Sequence, residues 1–475
     1  MRLKRTVPIL LTALVFACMF IAGVLVYQDY GVSVDEPVQR QHSLITYRYV
    51  MERVFRRSVV ELSDYPDLPE YQYRFYGTFL QLPMVFLEDL NDFQTDLGDV
   101  MRTRHLITFA YCFLGYLCFY FMGRMVFKSN WLALLGAVML YLYPRFFAAQ
   151  FYYIKDMLFS AAVMVAMWAA VLYLEKGEKW YLGLLFCFAA AVSANVRFMG
   201  MMFPVLMICY LLLRDVFVLR IYRRGALAML RRVGIYALIA VGFLLAYVAI
   251  SPVCWNAPLR TVAQTIREFS YYDKWQGYSI FMGREVYWNE VPWTFTPVWL
   301  LISLPVWYIA LFAGGLAVFA LALLLPRRME RTSGVWENAG EADQGGPPLL
   351  LAPYRYLLFA LALFFGPLLL VILKRSVLYN DWRQMYFLLV PLVLIAQFAL
   401  FSLFGALKRP WLRRAAAAAL CAALLFQAGW IAQNHPYEHQ YLNRPAAPYG
   451  SLFCRDASRT SVYSALLYLL ANAEE

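Results

Sequence analysis

Adjacent carboxylates, Asp35 and Glu36, stand in the stretch Asp29-Tyr-Gly-Val-Ser-Val-Asp-Glu-Pro37, directly after a first apolar run near residues 7–27. Two readings fit such a pair. One is the solvated start of a loop; the other is a general base or metal ligand at a membrane surface, where carboxylates handle protons and cations. Further along, Lys155-Asp156 opens an otherwise apolar helix. A helix-start carboxylate stabilised by the macrodipole, beside a snorkelling lysine, is the plain alternative there. Asn195-Val-Arg197 interrupts apolar sequence between two spans, and ionisable groups at such depth are usually functional or paired. Arg145 follows Pro144 at the end of another apolar run, and Arg383 lies in the polar island Tyr379-Asn-Asp-Trp-Arg-Gln384, where Asp381 is a ready ion-pair partner. After the last apolar run comes His435-Pro-Tyr-Glu-His-Gln-Tyr-Leu-Asn443, aromatic and rich in hydrogen-bonding groups. Two acidic positions with several cations suit a reaction in which a carboxylate takes a proton while cations hold a phosphate leaving group.

The elements that position these residues are membrane spans. The chain of 475 residues is 62% hydrophobic, 18% aromatic and only 15% charged, more apolar than a soluble core needs. Apolar runs near the bilayer-crossing length predict an all-α polytopic membrane protein with about eleven spans. They fall near 7–27, 105–122, 131–145, 157–174, 180–196, 198–213, 233–251, 297–324, 352–373, 386–405 and 415–432. The formal charge of +12 comes from basic residues in short loops, such as Arg220, Arg223, Arg224, Arg231 and Arg232. That is the positive-inside pattern, so the charge reports orientation and implies no nucleic-acid partner.

A retained first helix with a cytoplasmic N-terminus, and an odd number of spans, predict a short C-terminal tail at 433–475 on the extracytoplasmic side. All the charged positions above then share the outer face. The first outer loop, 28–104, is long and acidic, and Tyr76–Leu87 within it reads as a helix lying at the interface. A glycine-rich polar segment within 326–351 reads as a flexible cytoplasmic loop. Cys254 and Cys454 fall in outer loops, where one disulfide is feasible. His42, seven residues after Asp35, reads as a surface histidine or as a metal ligand. There is no internal repeat, which weighs against a transporter or lipid flippase, the main rival function.

The chain resembles the glycosyltransferases of the GT-C superfamily, in particular the bacterial relatives of protein O-mannosyltransferases and aminoarabinose transferases often called family 39. Gly31-Val-Ser-Val-Asp-Glu-Pro37, Pro144-Arg-Phe through Lys155-Asp156, Pro292-Trp-Thr-Phe-Thr-Pro297, Tyr379–Gln384 and His435–Asn443 carry the likeness, over nearly the whole chain. The resemblance implies a single membrane domain over 1–475 in the inner membrane. It implies an inverting transfer of a sugar from a polyprenyl-phosphate donor to a lipid, glycan or protein acceptor on the extracytoplasmic side. Asp35 would be the base, with Glu36 supporting it, and Asp156 a second acidic position. Lys155 and Arg383 would be phosphate partners, joined by Arg145 and Arg197 from their positions. Tyr379, Trp382, His435 and Tyr437 are candidates for holding acceptor or sugar. Some members of the superfamily bind a divalent cation, for which Asp35 and Asp156 would be the ligands; no cofactor is otherwise implied.

Overall fold

The computed structural model describes residues 2–270, 274–324, 350, 353–379, 381–456 and 458–473. Among them, nine helices are long and apolar enough to cross a membrane, and a tenth span forms if one bent pair counts as one. This is a multi-pass membrane protein. The helices are α1 (Arg2–Val26), α2 (Glu36–Val54), α3 (Leu82–Asp89), α4 (Leu97–Phe127), α5 (Asn130–Tyr141), α6 (Pro144–Tyr152), α7 (Ile154–Glu175), α8 (Trp180–Val196), α9 (Met202–Phe217), α10 (Ala226–Ile250), α11 (Pro258–Ser270), α12 (Phe295–Ser303) and α13 (Val306–Leu324). After them come α14 (Tyr354–Leu373), α15 (Leu389–Ala406), α16 (Pro410–Asn434) and α17 (Ser461–Asn472).

Prolines break two of the predicted spans. Pro144 starts α6 and bends it 66° from α5, so the expected span over 131–145 becomes an angled pair. Pro305 separates α12 from α13 where one helix over 297–324 was expected. The 17-residue α8 is shorter than the other spans but runs from the Glu178 end of the bundle to the cavity end, as expected for 180–196. The interfacial helix expected from Tyr76 is shorter, beginning only at Leu82 ahead of Pro83, with Met84, Val85, Glu88 and Asp89 turned inward. The flexible loop expected at 326–351 lies outside the described residues, apart from Leu350. Cys254 and Cys454 are both free thiols.

One element is not helical. Tyr278–Phe281 and Arg284–Tyr287 form an antiparallel hairpin, β1 and β2, in register Phe281 opposite Arg284. Its two turn residues, Met282 and Gly283, both have positive φ, which matches the twist of a tight hairpin. The tail packs on this hairpin and on α12: Cys454 donates its backbone N–H to Ile280 at 3.0 Å, and Asn443 donates its own to Ile302 at 2.8 Å.

Burial orders the bundle. Other helices enclose most of α7 but little of α16, so α7 is the central post and α16 lies on the outside of the bundle. Because α7 begins and α8 ends beside the start of the 383–406 span and the end of α14, the residues at these four tips share one face. At the opposite ends, Glu178 bridges Arg214 at 2.5 Å and Arg232 at 2.7 Å, while Glu175 binds Arg355 at 2.9 Å.

Candidate active site

A cavity of about 670 Å³ opens where these four tips meet the first loop. Asp35 precedes the first turn of α2, with Pro37 in that turn, where a missing N–H costs nothing. Its side chain makes no capping hydrogen bond to its own helix. It points across the cavity and pairs with the Arg383 guanidinium. Asp156, in the first turn of α7, lies 3.6 Å from the same guanidinium and pairs also with Arg197. Arg197 is extended (φ −142°, ψ 134°) between α8 and the short turn Phe198–Met201, so a break in apolar sequence delivers its charge to the cavity.

The Arg383 guanidinium sits over the faces of Tyr153 and Tyr379, at 5.0 and 5.4 Å. The ammonium of Lys155 lies 3.2 Å over the Tyr76 ring, and its backbone N–H is held by Gln39 at 3.1 Å. Tyr379 stacks on Trp275 with centroids 4.0 Å apart. Three cations thus face two carboxylates, and Lys274 and Arg375 add positive charge on the wall. The net field favours an anion.

The structure brings Asp35, Asp156, Lys155, Arg197, Arg383 and Tyr379 together on this cavity. It sets other predicted residues elsewhere. Glu36 is fully buried, accepting from the Ser33 N–H at 2.6 Å and meeting His105 Nε2 at 2.8 Å, so it braces the start of α2 from behind. Arg145 is also fully buried, bound to Asp381 at 2.9 Å and to the Tyr441 carbonyl at 2.8 Å, with Trp299 under it. Asp381, the ready partner for Arg383, therefore belongs to Arg145. Burial pushes the Asp381 carboxyl up, and Arg145 and Arg383 oppose that.

Trp382 is buried, its indole N–H donating to Ser303 at 2.9 Å. His435 lies between Asp29 at 2.9 Å and Glu438 at 2.7 Å, and Tyr437 is exposed; none of these three lines the cavity. Burial lowers the His435 pKa, but its hydrogen bonds to Glu438 and Asp29 outweigh that and raise it.

The surroundings of two lining residues that the sequence singled out, His42 and Asn195, are visible only in the structure. His42 is buried in the cavity wall, which rules out the surface reading of it, because Tyr71, Tyr73 and Tyr76 enclose its ring. Its spacing from Asp35, seven residues or two helical turns, was the available signal. Asn195 ties the first loop to the bundle: it accepts from the Phe79 N–H at 3.1 Å and donates to Ser251 at 2.9 Å. Gly77 meets Asn195 so closely that a Cβ there would collide with it. A divalent cation does not fit this donor set. Asp35 and Asp156 already face guanidinium groups, and no cluster of three or more His, Cys, Asp or Glu capable of holding a metal exists among the described residues.

No protein-family model matches this chain, and no curated protein sequence matches it. Solved structures similar to it include two of ArnT from Cupriavidus metallidurans, one in the apo state and one bound to undecaprenyl phosphate. Their TM-scores are 0.50 and 0.51, at 14% identity, over 97% and 98% of this chain and 69% of that one. The chain shares the fold of these structures. The cavity sits where the first loop, the tips of the central spans and the polar island at 379–384 converge.

Proposed function

We propose that this protein is a membrane glycosyltransferase that moves a sugar from a polyprenyl-phosphate donor to an acceptor on the extracytoplasmic side of the inner membrane. One observation carries the reading: Asp35 and Asp156 face each other across Arg383 in a cation-rich cavity at the ends of apolar helices. The ArnT structure bound to undecaprenyl phosphate supports a polyprenyl-linked donor on the same fold. The opposite end of the bundle carries the arginines of the 220–232 loop, which supports a cytoplasmic assignment for that end and an outer one for the cavity.

The donor phosphate competes with the two carboxylates for Arg383 and Arg197, whose planar forks suit phosphate oxygens better than a point charge does. Lys155 adds a third cation. As the phosphate takes Arg383, Asp35 loses its ion-pair partner and is left facing the acceptor. The carboxylate of Asp35 accepts the acceptor hydroxyl proton as that oxygen bonds to the anomeric carbon. The bond from that carbon to the phosphate oxygen breaks on the opposite side, inverting the centre, and the bond pair leaves with the polyprenyl phosphate. Arg383, Arg197 and Lys155 hold the charge that develops there. Glu36 and Arg145 act at a distance, through the α2 start and the Asp381 loop.

The test is direct. Purified protein in lipid nanodiscs, given polyprenyl-phosphate sugars and a membrane extract as acceptor, should release polyprenyl phosphate, and the Asp35→Asn variant should not. Release at equal rates by both proteins would sink the reading.

A further inference from the structure

Asp35, just ahead of α2, and Gln39 and His42 within it follow one another at spacings of four and three residues, and all three line the cavity. The first two are engaged, Asp35 with Arg383 and Gln39 with the Lys155 N–H. His42 is not. Only 9% of it is exposed, and its Nε2 is buried with no hydrogen-bond partner among the described residues. The ring is held in place by Tyr71, Tyr73 and Tyr76 at centroid distances of 5.4, 5.3 and 5.7 Å, lying within 7° of parallel to Tyr76.

Burial, then the Lys155 and Lys274 cations, lower the His42 pKa to about 3. The imidazole is therefore neutral at physiological pH. A buried polar atom without a partner is costly, and one on a cavity wall can take the missing bond from a ligand in that cavity. The chemistry narrows the ligand. A cation is repelled by Lys155 and Lys274, and a phosphate is drawn to Arg383 and Arg197 instead. A neutral imidazole edge beside aromatic faces matches a hydroxyl on a ring whose C–H face lies against tyrosine.

We propose that His42 reads a hydroxyl of the sugar carried by the donor, so that the cavity has a guanidinium end for phosphate and a histidine-tyrosine end for the sugar ring. This rests on the donor reading above, and the experiment separates the two. Full-length protein in nanodiscs is titrated with undecaprenyl phosphate, and with undecaprenyl phosphate carrying glucose, mannose or arabinose. The wild type should bind the bare lipid and bind at least one glycosylated lipid more tightly. His42→Phe, which keeps the aromatic packing and removes both ring nitrogens, should leave bare-lipid affinity unchanged and cut the extra affinity for the sugar by about tenfold, the scale of one hydrogen bond. Its ligand-free thermal stability should not fall, since the removed Nε2 has no protein partner. His42→Leu gives the same comparison should phenylalanine not be accommodated.

Three results overturn the assignment: an unchanged sugar margin in both variants, no sugar preference in the wild type, or equal loss of bare-lipid and glycosylated-lipid affinity. Failure of the wild type to bind any of the four lipids would instead overturn the donor reading itself.

Discussion

Replacing Arg383 separates a phosphate site from a structural ion pair. Its guanidinium is almost fully enclosed, pairs with Asp35, lies 3.6 Å from Asp156 and covers two tyrosine rings. Asp156 keeps Arg197 when Arg383 is removed, and Asp35 retains 38% side-chain exposure, so neither carboxylate is stranded in apolar surroundings. The fold should therefore tolerate the change better than a typical broken buried pair, which costs about 3–5 kcal/mol. Donor binding should not tolerate it. A charge-assisted hydrogen bond contributes about 1.5–3 kcal/mol, so losing a bidentate pair corresponds to roughly 10²–10⁴-fold in affinity for Arg383→Ala. Arg383→Lys keeps the charge and loses the fork, and about 10-fold is expected. The assay is a titration with undecaprenyl phosphate, read by tryptophan fluorescence because Trp275 stacks on Tyr379 within the cavity, with thermal unfolding run in parallel. Wild-type affinity in a folded Arg383→Ala protein would refute the reasoning.

Three further outcomes are expected. Arg145→Met should destabilise the protein by about 3–5 kcal/mol, because it leaves Asp381 buried without its cation, and adding Asp381→Asn should recover part of that; a stable Arg145→Met protein with a selective loss of donor binding would show that Arg145 reaches the phosphate after all. His435 holds its proton more tightly folded than unfolded, so its contribution is fully present below about pH 6.5 and fades as pH rises through the higher folded value. Thermal unfolding of His435→Gln between pH 5 and 9 should lack that loss, and an identical pH profile would contradict the assignment. An outer-face thiol reagent should label a cysteine at Glu290 but not one at Arg224 in intact cells, and the reverse pattern would invert the orientation.

Much of the architecture was legible because apolar runs and charged interruptions are strong signals. Asp35, Lys155, Asp156, Arg197 and Arg383 each stand at a helix end or a break, and in an antiparallel bundle such ends meet. Arg145 shows what sequence hides. Asp381 is two residues from Arg383, yet its backbone turns to positive φ (64°) and sends the carboxylate to Arg145 instead. Glu36 is adjacent to Asp35, but consecutive residues on a helix point about 100° apart, so only one of them faces the cavity. The hairpin at 278–287 was missed since four-residue strands around a Met-Gly turn leave little periodicity. His42 was legible as spacing and illegible as burial, because the tyrosines that enclose it come from a loop without regular pattern.

The central claim is that Asp35 is the base of a sugar transfer from a polyprenyl phosphate, and the lipids of a deletion strain test it most directly. Deleting the protein should cause one polyprenyl-phosphate sugar to accumulate. The wild-type chain should clear it, and Asp35→Asn, expected to be slower by about 10²–10⁴-fold, should not, although it folds and reaches the membrane. No accumulating lipid in the deletion strain, or full clearance by Asp35→Asn, would contradict the account.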